Sequence, residues 1–380
     1  MSDQPAPLGS LLRAAPPDRL PEVAAEHLRR HFAAGAVQVL VSDLTGTRLQ
    51  PLIGDPEPAD ATTALRCFAS QQPGVERAPT GQVRLHLPLT CWGERVGVLR
   101  VELPAQPSDD LSERLTADSD DLATAMRAAE TATDRYHRAR RRGRLTMAAE
   151  LQWDLLPGRA LGDERFLVAG QLEPAYDVRG DHFDWALDGD RLTLTVLNGH
   201  GDGMEAALLT SLAVNAMRNA RRFGADIIEQ AELASDAIHS RYAGTVHAAT
   251  LLLEIDLVSG GVAAVDAGSP HCLIARGSGI EQVPLEQQLP LGMFAEAHYE
   301  IQRFQLEPGD RMLVVSDGVH AATPTGLPRF GESGLLSALR RTRLQPATEA
   351  VGTVLRGLRE YHGGAEPEDD AVMVCLDWRR

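Results

Sequence analysis

From residue 165 to the C-terminus the chain is mostly strand-like, and this stretch restricts the possible folds more than any other. "RFLVAGQLEP", "HFDWALDG", "RLTLTVLNG", "AATLLLEIDLVSGGVAAVDAG", "HCLIARG", "YEIQRFQLEPGDRMLVVSDG" and "DAVMVCLDW" are apolar runs bounded by Gly, Asp, Asn and Pro. Helical spacing occurs only in blocks, at about 203–221, 225–242, 332–340 and 346–361. A doubly wound parallel sheet needs a helix after nearly every strand. The order seen here predicts instead a β-sandwich covered by helices.

The region before it has a different character. Residues 1–19 are rich in Pro and Ala and read as a loose start. "LPEVAAEHLRRHFAAG" has helical periodicity ending at Gly35, and "AVQVLVSDLTGTRLQPL" alternates like a strand with a turn at Thr45-Gly46. "QVRLHLPLT" and "RVGVLRVEL" are two further strands joined by Cys91-Trp92-Gly93-Glu94. Residues 20–107 are therefore expected to form a small α+β domain. Residues 108–156 lack proline and place Leu111, Leu115, Leu122 and Met126 at three- and four-residue steps or their multiples. They predict a linker of one long helix, or two end to end, over 108–157, stopped at Pro157-Gly158 and followed by a second domain at 158–380. No repeat of solenoid period is present.

Charge and composition narrow the partners. A formal charge of -16 repels nucleic acid and anionic membrane surfaces and suits cations or a protein with a basic face. Against that background the basic run "RARRRGR", Arg138 to Arg144, reads as a solvated helix face or a salt-bridged dimer seam rather than a nucleic-acid site. Cys67, Cys91, Cys272 and Cys375 are widely spaced with no CxxC pair, so buried reduced thiols are expected. The N-terminus lacks the pattern of a signal peptide and no apolar run is long enough for a membrane span, which predicts a cytoplasmic protein.

Four places set acids or amides where a strand runs out. They are "DVRGDHFDW" with Asp177, Asp181 and Asp184; "TVLNGHGDG" with Asn198 and Asp202; "VVSDGVH" with Asp317; and "EPEDDAVMV" with Glu368, Asp369 and Asp370. A hard divalent cation needs several oxygen ligands on rigid elements, and carboxylates at strand ends beside glycine supply them without crowding. Taken singly, each is as well explained as a polar turn, and Asp177, Asp184 and the Asp369-Asp370 pair can all be read as solvated turn residues. His200, on a glycine loop, is a candidate acid or an ordinary surface histidine. Ser269 and His271 in "GSPHC" lack the nucleophile-elbow spacing of a serine hydrolase, and "GHGDG" lacks the spacing of a nucleotide loop.

Together, over roughly residues 147–380, these motifs resemble the metal-dependent PPM-type protein serine/threonine phosphatases, in the branch related to stage II sporulation protein E. "AAELQWDLLPG" is similar to the branch's leading helix. "AYDVRGDHFDW" is similar to V-G-G-D-x-(F/Y)-D, with Arg179 in place of the first glycine. "DAGSPHCLIARG" is similar to the N-A-G-H-P strand, "LPLGMF" to P-L-G, "LEPGDRMLVVSDGVHAA" to P-G-D-x-(L)-Y-T-D-G, and "EDDAVMVCLDW" to the closing D-D-x-T strand. Aligning "GMEAALL" with the branch's G-L-x-A-A-L-L helix preserves its buried face and sets Asn198-Gly199-His200-Gly201 on D-G-H-G or D-A-M-G. Asn198 then stands where the family has a metal-bridging aspartate.

The resemblance implies an αββα sandwich and two Mn²⁺ or Mg²⁺ ions, one held by Asp181 and the carbonyl of Gly199, the other by Asp317 and Asp369, with Asn198 between them. It implies hydrolysis of phosphoserine or phosphothreonine on a regulatory protein, by family analogy a STAS-type anti-sigma-factor antagonist, by a water that the ions activate. An asparagine offers a carbonyl oxygen but no charge, so the ions are expected to bind more weakly. The alternative is a pseudophosphatase that holds its partner without turnover. The 20–107 segment resembles a GAF or PAS-like sensor in its patterning alone, and such a module is expected to act through the linker helix, in a homodimer. A third reading makes that segment, as a small-molecule sensor, the working part.

Overall fold

The computed structural model describes residues 7–54, 62–77, 81–141, 143–174, 178–323, 328–332, 334–363 and 369–380. The chain forms two compact units, Met1–Arg144 and Leu145–Arg380.

The first unit is built on β1 Val37–Ser42, β2 Leu49–Ile53, β3 Gly74–Arg77, β4 Val83–Cys91 and β5 Glu94–Leu103. They form one antiparallel sheet in the order β2-β1-β5-β4-β3. Its helices are α1 Leu8–Ala14, α2 Leu20–Phe32, α3 Thr62–Ser70, α4 Asp109–Ala129 and α5 Arg135–Arg140. Successive side chains of a strand point to opposite faces. Accordingly Val39 joins Leu28, Leu99 and Leu122 in a core with α1, α2 and α4, while its neighbour Leu40 packs with Val98, Cys67 and Phe68 of α3 on the other face. The β4–β5 hairpin closes in two residues, Trp92 and Gly93, at φ 49° and 85°, the left-handed pair that matches the twist of the flanking strands.

Two expectations for this region need correction. The start is not loose from residue 7 on: α1 buries Leu8 and Leu12 in the core. The run 108–157 is not one helix, nor two end to end. α4 ends at Ala129, Thr133 is extended, α5 occupies Arg135–Arg140, and the next helix begins only at Met147. Tertiary contacts explain the break. Arg135 pairs with both carboxylate oxygens of Glu22, and Tyr136 donates from its hydroxyl to the carbonyl of Pro17 at 2.6 Å. The apolar stripe Leu115, Leu122 and Met126 is buried within the same unit, so α4 is a layer of the N-terminal fold. Within the basic run, Arg140 faces Glu130 at 3.2 Å and Glu94 at 3.9 Å.

The second unit contains β6 Ala160–Gly162, β7 Phe166–Glu173, β8 His182–Asp188, β9 Arg191–Asn198, β10 Ala249–Asp256, β11 Gly261–Ala267, β12 His271–Arg276, β13 Gly279–Gln282, β14 Gln302–Gln305, β15 Arg311–Val315 and β16 Ala371–Trp378. One sheet has the order β14-β11-β10-β9-β8 and the other β13-β12-β15-β16-β7-β6, with antiparallel ladders throughout. Phe166, Phe183, Leu194, Val196, Leu253, Val314 and Val374 fill the space between them. The helices are α6 Met147–Leu155, α7 Gly203–Arg222, α8 Ile227–Tyr242, α9 Asp317–His320, α10 Gly334–Arg341 and α11 Ala347–Tyr361. α7 and α8 pack on the outer face of the first sheet through Leu209, Ala213, Met217 and Ile238. α10 and α11 cover the other through Leu335, Leu339, Val351 and Leu355. This is an αββα sandwich, as the order of strand runs and helix blocks predicts. Central strands are buried on both faces, which is why β9 and β16 read as nearly unbroken apolar runs. Among the described residues no helix is long and apolar enough to cross a membrane.

Candidate active site

Four strand ends meet at one edge of the sandwich. β8 starts just after Asp181, β9 ends on Asn198, β15 leads through Ser316 to Asp317, and β16 starts just after Asp369 and Asp370. Two glycines make the approach possible. A Cβ at Gly199 would lie 2.4 Å from the carbonyl oxygen of Arg179, and one at Gly318 would lie 1.8 Å from the carbonyl oxygen of Asp370. Both are below any real Cβ contact, so each glycine joins two of the loops by having no side chain. Ser316 adds a clasp: its N–H donates to the carbonyl of Val372 at 3.0 Å, and its hydroxyl accepts from Val372 N–H at 2.9 Å.

Two acids that can be read as solvated turn residues are neither solvated nor in turns. Asp370 is fully buried. Its Oδ2 accepts from Gln152 Nε2 at 2.8 Å and from the backbone N–H of Arg179 and Gly180 at 2.9 and 3.0 Å. It fixes the 178–181 loop. Gln152, on α6, also donates to the carbonyl of Asp181 at 2.9 Å. Asp184, buried in β8, accepts two bonds from Arg218 at 2.7 and 3.1 Å and one from Arg221 at 3.1 Å. Arg218 further donates to the carbonyl of Leu155 at 2.7 Å, so this ion pair ties α7 to β8 and to the end of α6.

Asp181 is 2% exposed. Burial, then the neighbouring Asp317 and Asp369, hold its carboxyl well above the usual carboxylate range, against a hydrogen bond from Ser316 that pulls the other way. Burial followed by Asp317 raises Asp369 to about 6. The acids on separate strand ends thus feel one another's charge. Three buried oxygens here have no hydrogen-bond partner, Gln152 Oε1 and, at the strand ends, Asp181 Oδ2 and Asn198 Oδ1. A buried acceptor left unsatisfied is costly and calls for an explanation. Among the described residues no three His, Cys, Asp or Glu side chains already stand together as a metal-ligand group. The available donors are mixed: the carboxylates of Asp181, Asp317 and Asp369, the amide oxygen of Asn198 and the carbonyl of Gly199. This all-oxygen set, with two oxygens unsatisfied, fits a hard cation that completes its shell with water.

The remaining candidates separate from the site or fall into supporting places. His200 is exposed on the loop, its ring 5.0 Å from that of His247. Asp202 is exposed and its side chain makes no capping bond to α7. Ser269 is no nucleophile of a triad: its Oγ accepts from Asn198 Nδ2 at 2.7 Å and donates to Asp317 Oδ2 at 3.4 Å. His271 stacks on His320 with ring centroids 3.7 Å apart. Asp177 and Glu368 lie outside the described residues. Gln152 and Ser316 carry no signal in their residue types, and nothing in "GSPHC" marks Ser269 as a neighbour of Asn198.

Two antiparallel sheets packed face to face under helices on both outer sides, with acids gathered at the strand ends, define a PPM-type (PP2C) protein phosphatase architecture. The family model of stage II sporulation protein E matches residues 188–379, and the chain belongs to that family. Protein IcfG of a Synechocystis species is 22% identical over 260 residues, covering 61% of this chain and 41% of its own length. The RsbU and RsbW domains of a Mycobacterium tuberculosis protein share 22% identity and a TM-score of 0.50, over 57% of this chain and 62% of that one. The phosphatase domain of SpoIIE from Bacillus subtilis, with a fragment of its regulatory domain, shares 18% identity and a TM-score of 0.49, over 57% of this chain and 65% of that one. The chain thus spans less than two thirds of the length of each.

Proposed function

We propose that the second unit hydrolyses phosphoserine or phosphothreonine on a regulatory protein, a STAS-type anti-sigma-factor antagonist, using Mn²⁺ or Mg²⁺. The observation that carries this reading is the pair of buried, unpartnered oxygens on Asp181 and Asn198 beside two further strand-end carboxylates. Asp181, Asn198, the carbonyl of Gly199, Asp317 and Asp369 would hold the metal. Bound there, the ions would supply an activated water and neutralise the phosphoryl oxygens. The chain's own part is to hold the acids in place. Asp370 and Gln152 fix the loop that carries Asp181, and Ser316 bonds its carboxylate.

Asn198 supports a second reading, a pseudophosphatase that binds its partner without turnover, because the amide contributes no charge to the metal. Regulation is assigned to the first unit as a GAF or PAS-like sensor. A groove of about 440 Å³ lined by Leu12, Leu20, Ala125 and Ala129 supports a ligand-sensing role. With no continuous helix from α4 to α6, such an input would act through α6, whose Gln152 bonds to Asp370 and to the carbonyl of Asp181. A homodimer would need surfaces other than the α4 stripe, which is buried in its own unit. A cytoplasmic location follows the same regulatory reading.

The test is release of inorganic phosphate from a serine-phosphorylated STAS protein by the full chain with Mn²⁺. Turnover abolished by EDTA and by Asp317→Ala supports a phosphatase. Tight binding of the phosphoprotein with no release at any Mn²⁺ concentration supports the second reading.

A further inference from the structure

Asn198 can face the site with either end of its amide, and only one end is a ligand for a cation. Ser269 decides which. A serine hydroxyl has one proton, and an anionic acceptor for it, Asp317 Oδ2, lies 3.4 Å from Oγ. The lone pairs of Oγ are left for Asn198, whose Nδ2 lies 2.7 Å away. An amide turned over could bond to Oγ only by drawing the hydroxyl proton away from Asp317. The N–H end is therefore held by Ser269, and Oδ1, which has no partner, is the free end. Asn198 is 4% exposed, so no bulk water competes for the orientation.

We infer that Ser269 is the positioning residue that makes Asn198 usable as a metal ligand, by fixing its amide with the oxygen toward the cation. The two residues depart from the family motifs together: position 198 aligns with an aspartate, and position 269 aligns with the histidine of N-A-G-H-P. An aspartate has oxygen at both ends and no wrong end to exclude, whereas an asparagine needs a partner that accepts from nitrogen while its own proton is engaged elsewhere. The inference rests on the reading of this site as a metal site, and it concerns one side chain within it.

The experiment is calorimetric titration of Mn²⁺ into the full chain, for four proteins: wild type, Ser269→Ala, Asn198→Asp and the double variant. Ser269→Ala is expected to weaken Mn²⁺ binding about tenfold in the Asn198 protein, the usual size for loss of an outer-shell partner. In the Asn198→Asp protein the same change is expected to alter affinity by less than about twofold, since orientation no longer matters. Should Ser269→Ala not fold, Ser269→Cys, of similar size and a weaker acceptor, is read in the same way. An unchanged affinity in Ser269→Ala overturns the inference while leaving the metal site standing. An equal loss in both backgrounds also overturns it, because it marks Ser269 as merely structural. If neither the wild type nor Asn198→Asp binds Mn²⁺, the metal site itself is refuted and the inference falls with it.

Discussion

Replacing Asn198 with aspartate restores the residue type that the family motif has at this position, yet it should make the metal-free protein less stable. The amide nitrogen lies 2.7 Å from Ser269 Oγ, which lies 3.4 Å from Asp317 Oδ2, so a carboxylate at 198 comes within about 6 Å of another. At an effective dielectric of about 20, two like charges at about 6 Å repel by about 3 kcal/mol. Asp181 and Asp369 already hold raised pKa values in part because their neighbours are acids. The new group adds to that repulsion, and the single hydroxyl proton of Ser269 can then serve only one of the two carboxylates. The second unit of Asn198→Asp should therefore melt on the order of 10 °C lower in metal-free buffer at pH 8. The sign with pH is fixed. A carboxyl whose folded pKa is raised takes up its proton before the unfolded chain does, so the deficit shrinks as pH falls through 6 toward 4. Millimolar Mn²⁺ should more than restore the loss, because the added charge favours the cation. Differential scanning calorimetry with EDTA or Mn²⁺, at pH 8 and pH 5, provides the assay. A metal-free Asn198→Asp as stable as wild type at pH 8 would refute the reasoning, since position 198 would then not face the other acids.

Other consequences are simpler to read. Arg218→Ala strands the buried carboxylate of Asp184 and frees the end of α6; it should cost about 3–5 kcal/mol in urea unfolding, whereas an unaffected midpoint would mean that the clamp is idle. Gln152→Ala removes bonds to Asp370 and to the carbonyl of Asp181. It should lower phosphate release about tenfold or more with a small change in melting temperature, and a full rate would show that the 178–181 loop needs no support from α6. Burial lowers the ring pKa of His182 from 6.5 to about 4. The unfolded chain takes up this proton first, so stability present above pH 6.5 is lost as pH falls toward 4, by about 3 kcal/mol. His182→Phe should remove that slope from urea midpoints, and an unchanged slope would place the acid sensitivity elsewhere.

The fold of the second unit was legible because its strands are buried on both faces: runs such as "RLTLTVLN" and "AVMVCLDW" can hardly be read otherwise. The acids at their ends were legible for the same reason, since an Asp or Asn terminating such a run must sit at the rim of the sandwich. Their roles were less so. Asp181 and Asp370 share one residue type, yet the first keeps an oxygen unpartnered and the second is occupied by Gln152 and two backbone N–H groups. That difference arises from loops brought together across more than 180 residues of chain. The linker misled because Leu115, Leu122 and Met126 have the same spacing whether a helix spans two domains or packs on its own sheet. The break after Ala129 is set by contacts of Arg135 and Tyr136 with Glu22 and Pro17, over 100 residues earlier.

The most direct test follows phosphate release from a serine-phosphorylated STAS protein as Mn²⁺ is raised, for the wild type, Asn198→Asp and Asp317→Ala in parallel. The account predicts that the wild type turns over and saturates in Mn²⁺, that Asn198→Asp saturates at lower Mn²⁺, and that Asp317→Ala is silent. A silent wild type awakened by Asn198→Asp would contradict it, and would make this chain a binding module on a phosphatase fold.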